Sequence, residues 1–391
     1  MAFGTPLKVF VDLAPLAPDG SNGGAGVLVL RLLRALIARP GAHEYHLLVK
    51  PVSEGVVSDL IGAGAILHRV GPGLDIEEPR RLRREIRRLP VFLARALPDT
   101  ASLTKEGADV LFSPLGTAAF HEPRLRHVAV AHDFQELSYP DFFDEKERRR
   151  RAAFRRDLGR ADRVVAISEA TKRDGVEKAR LDAGRITVLP PVAGLPRQPL
   201  RTAEQVLILS RLELSLDGFI VYPANYWPHK NHDRLLSALV RAQLAAPGLR
   251  LALCGALDDG RERLLAAVRH RGLAETVRVF PYLSEDEVTA LLQGARFLVF
   301  PSLFEGFGIP VLEAMALGTP VACSDIPALR ELAGEDALYF NPEDEASLAE
   351  AMELLWGGDR KREELVAGSR TRAERLLATD TVGIYHRLLS F

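Results

Sequence analysis

The stretch Pro301-Ser302-Leu303-Phe304-Glu305-Gly306-Phe307-Gly308-Ile309-Pro310-Val311-Leu312-Glu313-Ala314-Met315 decides how this chain is read. An apolar run, Arg296 to Phe300, leads into it, and a helical pattern, Val311 to Leu317, leads out. This order predicts a strand, a loop and a helix start. Glu305 falls on the loop and Glu313 on the first turn of the helix. Pro310 suits that first turn, where its missing N–H costs nothing. Gly306 and Gly308 permit close backbone approach or positive φ. The N–H groups of Phe307, Gly308 and Ile309 then point toward an anion near the helix N-terminus. Carboxylates accept hydrogen bonds from neutral hydroxyls but repel phosphate, so sugar hydroxyls beside a phosphate fit this mixture. A solvated acidic loop with a capping glutamate fits the same residues.

Working outward, the whole chain alternates strand and helix patterns. Short runs rich in Val, Ile and Leu, without strict alternation, predict strands buried on both faces. They fall at Lys8–Leu13, Tyr45–Lys50, Ala65–Val70, Val110–Ser113, His127–Ala131, Arg163–Ile167 and Ile186–Leu189. After the proline- and glycine-rich stretch Leu189–Pro199, which fits a hinge, they resume at Ile220–Pro223, Arg250–Cys254, Val277–Phe280, Phe297–Phe300, Val321–Cys323 and Ala337–Phe340. Helical patterns lie between them. The expected fold class is therefore α/β, with two parallel-sheet domains at 1–198 and 199–376. The segment 377–391 is expected to form a last helix packed across the domain junction.

Composition narrows the function classes. The 391 residues carry a formal net charge of -1, which argues against a general nucleic-acid binder. Cys254 and Cys323 sit in apolar runs and read as buried thiols. No zinc-ligand spacing occurs, and the Asp258-Asp259 pair reads as turn chemistry. No metal is expected. Met1–Lys8 lacks the pattern of a secretion signal, and no stretch of 18 apolar residues occurs. A cytoplasmic location follows as the expectation.

Three further constellations carry chemistry. Tyr222-Pro223-Ala224-Asn225-Tyr226-Trp227-Pro228-His229-Lys230-Asn231-His232 follows the strand that opens the second domain. Lys230 can neutralise a diphosphate as a point charge, and Asn231 can cap the next helix; a surface turn with a salt-bridged lysine is the plainer alternative. Ser21-Asn22-Gly23-Gly24-Ala25-Gly26 is glycine-rich but lacks dinucleotide spacing, which excludes NAD. His132-Asp133 ends a strand, where a histidine can meet a sugar hydroxyl or be a satisfied structural group. Two basic patches, Arg80–Arg88 and Lys146–Arg156, fit either a solvated helix face or contact with anionic lipid headgroups.

The region Ala295–Phe340, including Gly318-Thr319-Pro320-Val321-Ala322 and Asp325-Ile326-Pro327-Ala328-Leu329-Arg330-Glu331, resembles the acidic signature of retaining, nucleotide-sugar-dependent glycosyltransferases. Their family, glycosyltransferase family 4 (group 1), includes sucrose synthases and bacterial lipid-glycan mannosyltransferases. The resemblance returns in weaker form over most of the chain. It implies the GT-B fold, two Rossmann-like domains facing across a cleft. It implies transfer of a hexose, mannose favoured, from a nucleoside diphosphate sugar to a glycan or lipid-linked acceptor. GDP is favoured slightly over UDP, with no cofactor and no metal. By the same resemblance Glu305 lies near the transferred sugar and Glu313 binds ribose hydroxyls. Lys230 faces the diphosphate, and Phe307, Gly308 and Ile309 hold sugar or diphosphate through amides. Gly23 and Gly24 meet the donor phosphate or acceptor, His132 touches the sugar, and Asp133 orients His132 or meets the acceptor. Peripheral contact with the inner face of the cytoplasmic membrane is the role implied for the basic patches. One departure stands out: the family's arginine about six residues before the lysine is replaced here by Ala224. Three readings stay open: His229 supplies the second donor to the diphosphate, an arginine from elsewhere does, or the diphosphate relies on amides and Lys230. A sugar-nucleotide epimerase, a glycan phosphorylase or a non-catalytic sugar-nucleotide module are the competing readings.

Overall fold

The computed structural model describes residues 6–17, 23–39, 41–70, 103–116, 120, 124–195, 199–255 and 260–391. The chain divides into two compact units, each with its own parallel sheet. The first comprises Met1–Ile167, Thr171–Gly194 and Asp380–Phe391; the second comprises Ser168–Ala170 and Leu195–Thr379. The boundary therefore falls at Gly194–Leu195 rather than at 198–199.

In the first unit, seven strands form one sheet: β1 (Lys8–Asp12), β2 (Glu44–Val49), β3 (Ile66–Arg69), β4 (Val110–Ser113), β5 (Arg126–Ala131), β6 (Arg163–Ala166) and β7 (Ile186–Val188). Their order is β3-β2-β1-β4-β5-β6-β7, all pairs parallel. Every residue of β4 is buried, as a central parallel strand covered on both faces requires.

The last helix, Thr381–Ser390, belongs to this first unit. Its Tyr385 is buried with its ring 5.7 Å from that of Phe112. Arg163 of β6 donates to the Leu388 carbonyl at 2.8 Å and lies 4.2 Å over the Phe391 ring. The expectation of a final helix is met. Its packing is fixed by an apolar face that continues the core of the first unit, so the chain returns there after completing the second.

The second unit is built on β8 (Ile220–Pro223), β9 (Leu251–Cys254), β10 (Val277–Val279), β11 (Leu298–Phe300), β12 (Val321–Ser324) and β13 (Leu338–Phe340). The order is β10-β9-β8-β11-β12-β13, again parallel throughout. Strand order reverses between β8 and β11. In open sheets of this kind ligands bind beyond the carboxyl ends of the strands at that reversal. The loops leaving β8 and β11 are those that carry Lys230 and Glu305. Among the described residues, no helix is long and apolar enough to cross a membrane. Cys254 and Cys323 are buried, and among the described residues neither is joined in a disulfide.

Candidate functional site

The two loops at the β8/β11 reversal are tied together by groups that residue type alone does not reveal. The Tyr222 hydroxyl, on β8, donates to the Lys230 carbonyl at 2.8 Å and lies 3.1 Å from the Ser302 hydroxyl. The Leu303 N–H donates to the His229 carbonyl at 2.7 Å. Asn231 sits in the left-handed region at φ 61°. Its side chain does not cap the helix His232–Ala245. Its amide instead donates to the carbonyls of Pro301 at 3.0 Å and Pro342 at 2.8 Å. One buried asparagine thus satisfies two loop carbonyls, which would be costly to leave bare.

This frame brings Lys230 and Glu305 into direct contact. The lysine Nζ donates to Glu305 Oε1 at 2.6 Å, with side-chain exposures of 15% and 12%. The Phe300 ring lies beneath the ammonium at 5.7 Å. Trp227 is 43% exposed and packs only loosely on His229, ring to ring 5.7 Å. It is a surface residue of the loop and not part of the core.

Glu305 leads into a turn that ends at Gly308, with φ 109°, the cap of the helix Ile309–Leu317. The φ itself favours glycine there, and a Cβ on Gly308 would stand 2.6 Å from Leu329 Cδ2, so the buried leucine would have to shift to admit one. Pro310 occupies the first turn as expected. Among the described residues, no acceptor meets the N–H groups of Phe307, Gly308 and Ile309. They supply the positive end of a helix dipole beside the Lys230–Glu305 pair. Glu313 departs from expectation. The helix starts at Ile309, earlier than its apolar pattern, so Glu313 lies beyond the first turn and is buried.

His232 was passed over in the sequence because a histidine at a helix start has many uses. It is 3% exposed, and among the described residues neither ring nitrogen meets a hydrogen-bond partner. Its ring lies 4.9 Å from that of Tyr222 and 5.1 Å from that of Tyr226. Burial, and secondarily the charge of Lys230, push its pKa down to about 3. A neutral imidazole is thus embedded immediately behind the lysine loop.

The remaining candidates belong to the first unit. Gly23 and Gly24 are the first residues of the helix Gly23–Ile37, with Gly23 at φ 61°; Ser21 and Asn22 before them lie outside the described residues. His132 follows β5. Its Nε2 is 2.7 Å from the Pro114 carbonyl. A carbonyl only accepts, so Nε2 carries the proton and Nδ1 presents a lone pair. Burial lowers the His132 pKa, opposed by the Pro114 bond and by Asp133. The apolar lining behind the ring, including Leu28, Val29 and Val130, accounts for that burial. The group is a neutral hydrogen-bond acceptor, not an acid. Asp133 does not hold the imidazole by a hydrogen bond. Its Oδ1 receives the Gln135 N–H at 3.0 Å and Arg151 at 2.9 Å. Arg151 also reaches the buried Glu136 and belongs to the basic helix Glu145–Arg160, whose outer arginines pair with Glu145 and Glu147. The Arg80–Arg88 patch and Asp258-Asp259 lie outside the described residues.

Comparison with known proteins meets this geometry. The model described as Glycosyl transferases group 1 matches residues 213–372, and that described as Glycosyltransferase Family 4 matches 22–193. The chain belongs to the group 1 glycosyltransferases. Among its relatives is the O-antigen chain mannosyltransferase B of Escherichia coli, 26% identical over 67% of this chain and 71% of that protein. Another is the O-antigen chain mannosyltransferase RfbU of Salmonella typhimurium, 28% identical over 60% of this chain and 62% of that protein. Anabaena HepE, solved with UDP and glucose, superposes with a TM-score of 0.74 at 16% identity, covering 98% of this chain and 100% of that one. WaaG, a glycosyltransferase of lipopolysaccharide biosynthesis, gives 0.68 at 15% identity, with coverage of 98% and 100%. These structures share the GT-B fold with this glycosyltransferase.

Proposed function

We propose that this glycosyltransferase moves a mannose unit from a nucleoside diphosphate donor, GDP-linked in preference to UDP-linked, to a hydroxyl of a glycan or lipid-linked glycan. The observation that carries the donor half is the meeting of Lys230, Glu305 and the Phe307–Ile309 amides at the strand-order reversal. The sugar half is supported by the O-antigen mannosyltransferases among the relatives.

In this reading Lys230 and the amides hold the diphosphate, Glu305 faces the sugar, and Glu313 takes the ribose hydroxyls. The bond from the anomeric carbon to the phosphate oxygen breaks, and a bond to the acceptor oxygen forms on the same face. The hydroxyl proton passes to the departing phosphate, and configuration is retained. Catalysis comes from positioning and from stabilising the charge that develops on the diphosphate. His132 contributes the Nδ1 lone pair to a substrate hydroxyl. No metal or other cofactor is assigned a role. The proposed location is the cytoplasm, at the inner face of the membrane, where an anionic surface would suit the basic helix Glu145–Arg160.

Calorimetry with GDP, UDP and their hexose conjugates, followed by mass analysis of products, tests this reading. Free nucleoside diphosphate and a glycan longer by one hexose are expected, with GDP-mannose the preferred donor. Failure of every sugar nucleotide to bind refutes the transferase reading of the site. An epimerised donor, or phosphate-dependent glycan cleavage, refutes transfer in favour of those reactions.

A further inference from the structure

We infer that Glu305 has a second task before any sugar is transferred: it is the counter-ion that occupies Lys230 until a donor diphosphate takes its place. This inference rests on the donor site proposed above. Lys230 Nζ and Glu305 Oε1 stand 2.6 Å apart and are mostly withdrawn from water. The bond uses one of the three N–H donors of the ammonium and neutralises its charge, so a phosphate meets a lysine that already has a counter-ion. The carboxylate likewise has one oxygen turned to the lysine. Both groups gain in strength toward a donor when a diphosphate draws the ammonium away.

The loops favour exchange of partners over collapse of the site. The Lys230 backbone is pinned by Tyr222, and its neighbours are pinned by Leu303 and Asn231. Only the side chains need to move. With Ala224 where the family carries an arginine, the Lys230–Glu305 pair is neutral as it stands. A site with both cations would retain one positive charge while the pair was closed. Here the attraction for diphosphate depends on opening the pair, so Glu305 sets the cost of binding a nucleoside diphosphate that lacks its sugar. A full donor recovers part of that cost, because the released carboxylate accepts a sugar hydroxyl. The pair thereby favours donor over spent nucleoside diphosphate.

Calorimetry with GDP and UDP, and with the corresponding unphosphorylated nucleosides, tests this on the wild type, Glu305→Gln and Glu305→Asp. Glutamine removes the counter-charge. Aspartate keeps the charge but withdraws it from Lys230 by one methylene. Nucleoside diphosphate is expected to bind about tenfold more tightly to Glu305→Gln, with a smaller gain for Glu305→Asp and no change for the nucleosides. Transfer activity falls in both variants. If the wild type binds no nucleoside diphosphate, the donor site itself is wrong. If it binds and Glu305→Gln binds no more tightly, the counter-ion role is overturned. A gain for glutamine with none for aspartate also overturns it, because simple repulsion between Glu305 and phosphate explains that pattern. Circular dichroism on each variant confirms that the fold is intact, and a misfolded glutamine variant leaves the aspartate comparison to decide.

Discussion

Acidification should weaken the second unit through one residue, His232. The imidazole is buried with a folded pKa of about 3 against an ordinary value of 6.5. A depressed pKa means that the unfolded chain binds the proton more readily, so stability rises with pH across the window between these two values. The contribution is fully present above about 6.5 and is lost as pH falls toward 3. Integrating over this window, His232 alone removes about 2 kcal/mol between pH 7 and pH 5, and about 3 kcal/mol by pH 4. Both tryptophans, Trp227 and Trp356, lie in the second unit, so their emission reports its unfolding separately from the first. Urea denaturation followed by this emission, from pH 7.5 to pH 4, is the assay, with His232→Leu as the reference. Leucine removes two buried nitrogens that lack partners, each costing about 1–3 kcal/mol, and gives up the ring contacts with Tyr222 and Tyr226. Whatever offset these opposing effects leave at pH 7, the variant is expected to gain about 3 kcal/mol on the wild type by pH 4. Parallel pH curves for the two proteins would refute the assignment, since every other titrating group is common to both.

Three other outcomes follow from the same structure. Gly308→Ala places a Cβ 2.6 Å from Leu329 at a φ of 109°, and is expected to cost about 1–3 kcal/mol and to lower donor affinity; an unchanged melting temperature counts against the reading of that turn. Asn231→Gly keeps the left-handed backbone but drops the bonds to Pro301 and Pro342, so a loss of about 2–4 kcal/mol is expected by urea denaturation, whereas backbone strain alone would leave glycine neutral. The lowered pKa of His132 keeps Nδ1 available below pH 6.5. The acid limb of kcat/KM should lie below that value and vanish in His132→Gln; a limb above 6.5 that tracks this residue would contradict the neutral acceptor.

Much of this architecture was legible because parallel strands buried on both faces leave short apolar runs that need no alternation. All thirteen strands of the described residues coincide with such runs to within a residue or so at each end. The helix Thr202–Arg211 was not legible. Its run Val206-Leu207-Ile208-Leu209 has no helical period, because Val206 and Leu207 are exposed at 45% and 61% while Ile208 and Leu209 are buried. At the site, residue types next to strand ends marked Lys230 and Glu305. Their mutual contact was not visible, because it is made by loops 75 positions apart. Asn231 was read as a cap from local propensity, and tertiary carbonyls claimed its amide instead. Glu313 was placed one turn too early for a related reason. Gly308 starts the helix before the apolar pattern does, and this shifts every later residue relative to the N-terminus.

The alanine at 224 turns these placements into a final quantitative argument. The arginine nearest in sequence to the lysine loop is Arg234, and its guanidinium is engaged with the Asn231 side-chain oxygen and the Pro342 carbonyl, each at 3.0 Å. It braces the loop and cannot leave without loosening the frame that holds Lys230. In the donor reading proposed here, Lys230 and the amides at the Gly308 turn balance the leaving diphosphate. A second cation should be felt strongly at such a site. Ala224→Arg restores the family's residue on a half-buried position just beyond β8. A charge-assisted bond to phosphate is worth about 1.5–3 kcal/mol, so GDP or UDP should bind roughly 10- to 100-fold more tightly. The same gain applies to the product nucleotide, so kcat should fall wherever release limits turnover. Calorimetry and steady-state kinetics on the one variant measure both effects. Unchanged nucleotide affinity in a folded Ala224→Arg protein would mean that the diphosphate does not pass the end of β8, and the donor orientation proposed here would have to be abandoned.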